Sequence, residues 1–478
     1  MQKNVILKEK ESFMDIKIVE NVKDTECDVL IINKFEGKQT TCDLVNQFLP
    51  SEFSGKRGET FVLHTHKQRP AKNILVSGLG KEEEISNNIV RESVAKAIKK
   101  CGELKAKKVG ICFATDFNYG GPAVLGAKIS DYRFDKYKTK KDFHIEELYL
   151  SNVDKELVNK AIVVADSMEL SRNLANEPAA YATPTKLAQI AQSLEGIETE
   201  VFDHNQIEQM GMGAYLAVAK GSIEPPKFIH MKYVPQNPKK RIAIIGKGLC
   251  FDSGGLDLKP ANSMLTMRDD MSGSAVVIGI MKAMAKLKPD VEVHGIIAAC
   301  ENMPGMGAYK PGDILTAMNG KTIEVDNTDA EGRLTLADAL CYACKLDVDE
   351  VVDIATLTGA CMVALGTAAS GIMGNDEEFI SKIIEIGNIS GEKFWQLPMW
   401  QEYRDNMDSD IADMKNTGTR YGGASAAGMF LKEFVTDNVK WAHLDIAGTA
   451  FLEKPQKEFF CKGSTACGIR TLIKYITE

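Results

Sequence analysis

The sequence predicts an α/β protein of two domains. The smaller, N-terminal domain is α/β, and the larger, C-terminal domain is α/β with a mixed, mainly parallel sheet covered by helices. Three observations carry this. At roughly 150 residues per folding unit, a chain of 478 residues holds about two or three of them. Short apolar, β-rich runs alternate with helical stretches along nearly the whole length, the pattern of sheets buried on both faces. A stretch with helical spacing over 156–174, ended by Asn176-Glu-Pro178, joins the halves and places the boundary near residue 160.

Within residues 1–160, strands are read at Asp28–Ile32, Thr60–Leu63, Asn73–Val76 and Lys108–Cys112, with a helix over about Ile85–Leu104. Within 161–478, strands are read at Arg241–Ile245, Val291–Ala298, Val351–Ile354 and Trp441–Ile446, with helices at Ser274–Leu287 and after Glu331. The uncharged stretch 354–375 is long enough to span a bilayer, but its glycines, threonines and serine dilute the hydrophobicity. It reads as a buried strand followed by close-packed loops and helix. Ligands of such sheets gather at the carboxyl ends of strands.

Composition narrows the function. Acids outnumber bases by 66 to 58, a net charge of −8, which argues against a whole-chain footprint for nucleic acid or anionic membrane. The six lysines of Lys96–Lys108 and the cluster Lys128–Lys141 read as solvated faces, since few aromatics are interleaved. Residues 1–20 lack the apolar core of a secretory signal, so the expected location is the cytoplasm. Eleven unevenly spaced cysteines fit reduced thiols; Cys341 and Cys344 fall in the helical stretch Leu334–Lys345 and read as packed core. The seven histidines are scattered, with no His-Glu-x-x-His, so any metal must rely on carboxylates.

Three acidic clusters follow strands. Gly246–Pro260 (GKGLCFDSGGLDLKP) lacks the Walker spacing, and Asp252 suits a cation better than a phosphate. Met267–Ala275 (MRDDMSGSA) puts Asp269 and Asp270 at a helix entrance, where capping alone is a sufficient explanation for at least one. Asn327–Leu334 (NTDAEGRL) contains a Thr-x-x-Glu capping box, yet Asp329 and Glu331 would project to one side if the segment were extended. Together they offer Asp252, Asp269 or Asp270, Asp329 and Glu331, interleaved with Lys247, Lys259 and Arg333. Such carboxylates repel unless cations compensate them, and a pair of Mg, Mn or Zn ions would do so.

The unaltered NTDAEGRL run, the GKG…FDSGG…KP segment, Ser409–Met414 (SDIADM) and Trp441–Gly448 (WAHLDIAG) resemble the leucine aminopeptidase family of cytosolic dinuclear metallopeptidases. The resemblance covers about 170–478; the first 160 residues match in general layout only. It implies Lys247, Asp252, Asp270, Asp329 and Glu331 as metal ligands, with Asp252 and Glu331 shared by two divalent ions, Mn or Zn, with Mg and Co as alternatives. It implies that Lys259 polarises the scissile carbonyl and that Arg333 holds a bicarbonate, the general base toward a bridging water. It implies Met267, Thr356 and Gly359 as an apolar side-chain pocket suited to leucine-like residues, and an exopeptidase acting on peptides as a homohexamer. Residues 161–478 would then be catalytic and 1–160 oligomerising or regulatory, with nucleic acid ranked below peptide as a partner and no membrane. Asp269, Ser274 and Met407-Asp408 depart from the family pattern, and none is a proposed ligand.

Overall fold

The computed structural model describes residues 14–113, 118–455 and 459–478. The start of the 1–20 segment therefore lies outside the described residues. The chain divides into two compact units. One is formed by the chain up to Glu169 with Lys454–Lys462, the other by Leu170–Glu453 with Gly463–Glu478, and the division falls inside the helix Lys155–Asn176.

The smaller unit holds β1 (Asp15–Ile18), β2 (Val29–Phe35), β3 (Thr60–His64), β4 (Asn73–Gly80), β5 (Lys108–Cys112) and β6 (Glu147–Leu150), ordered β1-β6-β5-β2-β4-β3. All neighbours run parallel except β3 against β4. Every residue of β2 is buried, as a central parallel strand covered on both faces requires. The Ser86 hydroxyl accepts a bond from the Ile89 amide and starts the helix Asn87–Glu103. Its Val90, Val94, Ala97, Ile98 and Cys101 recur at helical spacing and pack on Ile31, Leu75, Val109 and Ile111. Among the lysines of the basic run, Lys100, Lys107 and Lys108 pair with Glu103, Glu146 and Glu147, which reduces the local positive field.

The larger unit holds β7 (Glu198–Phe202), β8 (Lys227–Tyr233), β9 (Lys240–Asp252), β10 (Val291–Asn302), β11 (Ile314–Thr316), β12 (Thr322–Glu324), β13 (Glu350–Ala355), β14 (Ser370–Gly374), β15 (Phe394–Gln396), β16 (Met414–Lys415) and β17 (Lys440–Asp445). Eight of these form one mixed sheet, ordered β15-β14-β17-β13-β9-β10-β8-β7, in which β17, β13, β9 and β10 are parallel. The short strands β11, β12 and β16 form a second sheet. Among the described residues, no helix is long and apolar enough to cross a membrane.

Strand β9 runs well past Ile245, where the strand read from the sequence ends, and carries its glycines in regular structure to Asp252. The reason is close packing: a Cβ at Gly246 would stand 2.6 Å from the Gly273 carbonyl carbon and oxygen, so glycine lets β9 approach the helix Ser272–Leu287. The uncharged stretch 354–375 becomes the end of β13, a helix over Gly359–Leu365 and strand β14.

Strands β13 and β17 are tied by a buried polar knot. Asp353 accepts from Trp441 Nε1 at 2.7 Å and from His443 Nδ1 at 2.5 Å, and all three are fully buried. Burial pushes the His443 imidazole down, and the Asp353 carboxylate outweighs it and holds the pKa above the ordinary histidine value. Asp353→Ala leaves two buried donors without their acceptor and is expected to cost about 3–5 kcal/mol in urea unfolding. A loss under about 1 kcal/mol would show that the knot relaxes freely.

Candidate metal centre

The carboxyl ends of β9 and β10 and two loops build one acidic cluster. Asp252 ends β9, and Asn302, which ends β10, donates from Nδ2 to Asp252 Oδ1 at 2.8 Å and to the Thr328 carbonyl at 3.0 Å. Asp252, Asp329 and Glu331 each offer an oxygen such that all three lie within 4.8 Å of one another.

Asp329 and Glu331 do not lie in an extended segment. Asp329 sits in a turn whose amide donates to Asn327 Oδ1 at 2.7 Å, and Glu331 has helical backbone angles at the start of the helix Gly332–Ala343. The Thr-x-x-Glu capping box is not formed either. The Thr328 hydroxyl donates instead to the Gly254 carbonyl at 2.7 Å and accepts from the Asp257 amide, while the Thr328 amide donates to Asp257 Oδ2. This latch joins the loop after β9 to the loop carrying Asp329.

Nor do Asp269 and Asp270 cap the helix that follows, which begins at Ser272 without a side-chain cap. Asp270 turns inward and accepts from Thr356 Oγ1 at 2.8 Å. Asp269 is buried, and burial pushes its carboxyl up to about 7. Of the three acidic segments, only Asp252 stands at a strand end of the large sheet.

Lys247, on β9, points into the cluster. Its Nζ lies 2.8 Å from Asp270 Oδ2, 2.9 Å from Glu331 Oε1 and 3.0 Å from the Thr356 carbonyl, three acceptors for three ammonium hydrogens. Lys259 Nζ lies 2.8 Å from Asp252 Oδ2 and 2.5 Å from Asp329 Oδ1. Burial pushes both amines down, and the surrounding carboxylates outweigh it and hold both pKa values above the ordinary lysine value. Burial in turn pushes the Asp270, Asp329 and Glu331 carboxyls up. Glu331 Oε2 is buried with no hydrogen-bond partner.

Arg333 is the second residue of the helix Gly332–Ala343 and is buried. Its Nη1 donates to the Asn416 carbonyl at 2.8 Å, its Nε is buried and unpartnered, and burial pushes the guanidinium pKa down to about 10. Met267 and Thr356 are partly buried, and Gly359 opens the helix Gly359–Leu365 with nothing within 4 Å of the position a Cβ would take. The structure therefore brings Lys247, Asp252, Lys259, Asp270, Asp329 and Glu331 together. Thr356 joins them through its links to Asp270 and Lys247. Sequence reasoning missed Asn302, Asp257 and Asn416, neutral or loop-borne groups with no charge pattern or periodicity to single them out. The departing residues lie outside the cluster: Ser274 donates to Met271, Met407 is core, and Asp408 pairs with Arg404.

Buried carboxylates with one orphaned oxygen and an oxygen-rich donor set fit hard divalent cations. The cluster is tight: a Cβ at Gly332 would stand 2.4 Å from Lys247 Cε and 2.7 Å from its Nζ. Gly332→Ala is thus expected to displace the Lys247 head and weaken Mn binding by about tenfold or more, with little change in thermal midpoint. Unchanged Mn affinity by calorimetric titration would contradict that crowding.

Comparison with known proteins places the cluster in context. Residues 169–473 match the family model described as "Cytosol aminopeptidase family, catalytic domain", and residues 39–141 match the family's N-terminal domain. A probable cytosol aminopeptidase of Aquifex aeolicus is 44% identical over 438 residues, covering 89% of this chain and 88% of the relative. One from Alkaliphilus oremlandii is 41% identical, covering 96% and 98%. Among solved structures, a tomato leucine aminopeptidase mutant superposes with a TM-score of 0.87 at 34% identity, covering 97% of this chain and 96% of that one. The bottromycin maturation enzyme BotP in complex with Mn also superposes at 0.87, with 29% identity, 94% and 99% covered.

Proposed function

The chain belongs to the cytosol aminopeptidase family and is an aminopeptidase, and from that premise we propose that it releases leucine-like N-terminal residues from peptides at a two-metal site. The observation that carries this reading is the convergence of Asp252, Asp329 and Glu331 within 4.8 Å, beside a Glu331 oxygen that is buried and unbonded. Lys247, Asp252, Asp270, Asp329 and Glu331 would hold two divalent cations, with Asp252 and Glu331 shared. The metals are Mn or Zn, with Mg and Co as alternatives. Such a pair, when bound, supplies Lewis-acid polarisation of the scissile carbonyl and a nucleophilic water.

The chain's own residues divide the remaining work. Lys259 keeps its proton at neutral pH because the carboxylates of Asp252, Glu331 and Asp329 surround it, so it is a donor available to the carbonyl oxygen as negative charge develops there. Arg333, with its Nε unpartnered, offers a buried cation to a small anion, and we assign it a bicarbonate. Bicarbonate, when bound, supplies a base for the attacking water. We assign Met267, Thr356 and Gly359 to an apolar side chain of the substrate, a reading supported by the open position of Gly359, with nothing within 4 Å of the place a Cβ would take. By the same family reading, the protein works in the cytoplasm as a homohexamer, with 161–478 catalytic and 1–160 oligomerising or regulatory.

Lysine ligates a metal only as the free amine, whereas the metal-free cluster holds the Lys247 ammonium with a raised pKa. Metal uptake must therefore release that proton. Mn affinity is expected to rise with pH across the neutral range, with about one proton released from Lys247 per chain, read by calorimetry in buffers of different ionisation enthalpy. An affinity flat from pH 6 to 9 would remove Lys247 from the ligand set. Glu331→Gln is expected to lower leucyl-anilide turnover by about 10³-fold or more and to reduce bound Mn. Near wild-type turnover would sink the metal assignment.

A further inference from the structure

The loop carrying Asp329 and Glu331 has no regular structure of its own between β12 and the helix at Gly332, yet it must hold two carboxylates in place. Beside the Thr328 latch and Asn302, one buried residue from another part of the chain braces it. Strand β16 pairs in parallel with β12, Glu324 opposite Lys415, and the Asn416 amide continues the ladder by donating to the Glu324 carbonyl at 3.0 Å. Immediately beyond the pairing, Asn416 Oδ1 accepts from the Asp326 and Asn327 amides at 2.8 and 3.2 Å. Its Nδ2 donates to the Asn327 carbonyl at 2.7 Å, and its own carbonyl accepts from Arg333 Nη1 at 2.8 Å. Asn416 is fully buried.

We propose that Asn416 is a positioning residue for the catalytic site, acting through Asp329, Glu331 and Arg333 rather than on substrate. Its side chain replaces the missing strand partner of residues 326–327, and its carbonyl sets the Arg333 guanidinium at the other end of the same segment. Asn416 therefore braces both ends of the segment that carries the acidic pair, alongside the Thr328 latch and Asn302. Aspartate cannot substitute: it keeps the acceptor for two amides but sets a second acceptor against the Asn327 carbonyl. This inference rests on the two-metal reading above.

The test is Mn titration of the metal-stripped full chain, followed by electron paramagnetic resonance of free Mn, together with leucyl-anilide kinetics. Asn416→Ala and Asn416→Asp are expected to weaken Mn by about 10 to 100-fold and to lower kcat more than they raise KM. Asn375→Ala is the control for lost clamping alone, since Asn375 bonds Val439 and Trp441 in the same manner at the start of β17. It is expected to leave Mn affinity unchanged. Should Asn416→Ala fail to fold, Asn416→Asp, of equal volume, decides. Wild-type Mn affinity and kcat in a folded Asn416 variant would overturn the proposal. Glu331→Gln in parallel separates the cases: if it too binds Mn normally, the metal reading fails and not the role of Asn416 alone.

Discussion

The site's organising constraint is the gathering of four carboxylates, three of them buried, in one place. Asp252, Asp270 and Glu331 are buried and Asp329 is half-buried, so solvent screens their repulsion little, and the ammonium groups of Lys247 and Lys259 stand against them. Two negative charges stay uncompensated by the lysines. Burial raises the pKa values of the acids, and the crowded carboxylates raise those of the lysines. A polypeptide has little reason to bury such a set for stability alone, because well-packed apolar residues would serve better.

The fold exists around that constraint in a definite way. The parallel core β17-β13-β9-β10 supplies a rigid floor, and glycine at 246 and 273 brings β9, β13 and the helix Ser272–Leu287 close enough for Lys247 to reach across to Thr356 and Glu331. A Cβ at Gly273 would stand 2.0 Å from the Ile354 carbonyl oxygen, so the approach admits no side chain. Polar side chains without charge then fix the loops: Asn302 between Asp252 and Thr328, Thr328 between Gly254 and Asp257. Charge sits in the cluster and neutral groups around it hold it still.

Much of this was legible in the sequence because the signals are local. Runs such as Val29–Ile32 and Ile242–Ile245 are apolar over the length of a strand, and the helix Asn87–Glu103 repeats its buried face at helical spacing. The acidic residues stood out because charge inside glycine-rich segments is conspicuous. What escaped is what depends on distant partners. The strand read from the sequence ends at Ile245 until the helix packed on Gly246 is seen, and Thr328 looks like a cap until Gly254 and Asp257 claim its hydroxyl. Asn302 and Asn416 bond to groups 26 to 90 positions away, and neither periodicity nor spacing announces them.

The central claim is that the cluster holds two cations, so the number of metals bound is its most direct test. Chain stripped of metal, reloaded with Mn, freed of excess by gel filtration and analysed by mass spectrometry of the element should carry two Mn per chain, with peptidase activity restored. One Mn per chain at full activity, or none, would contradict the account.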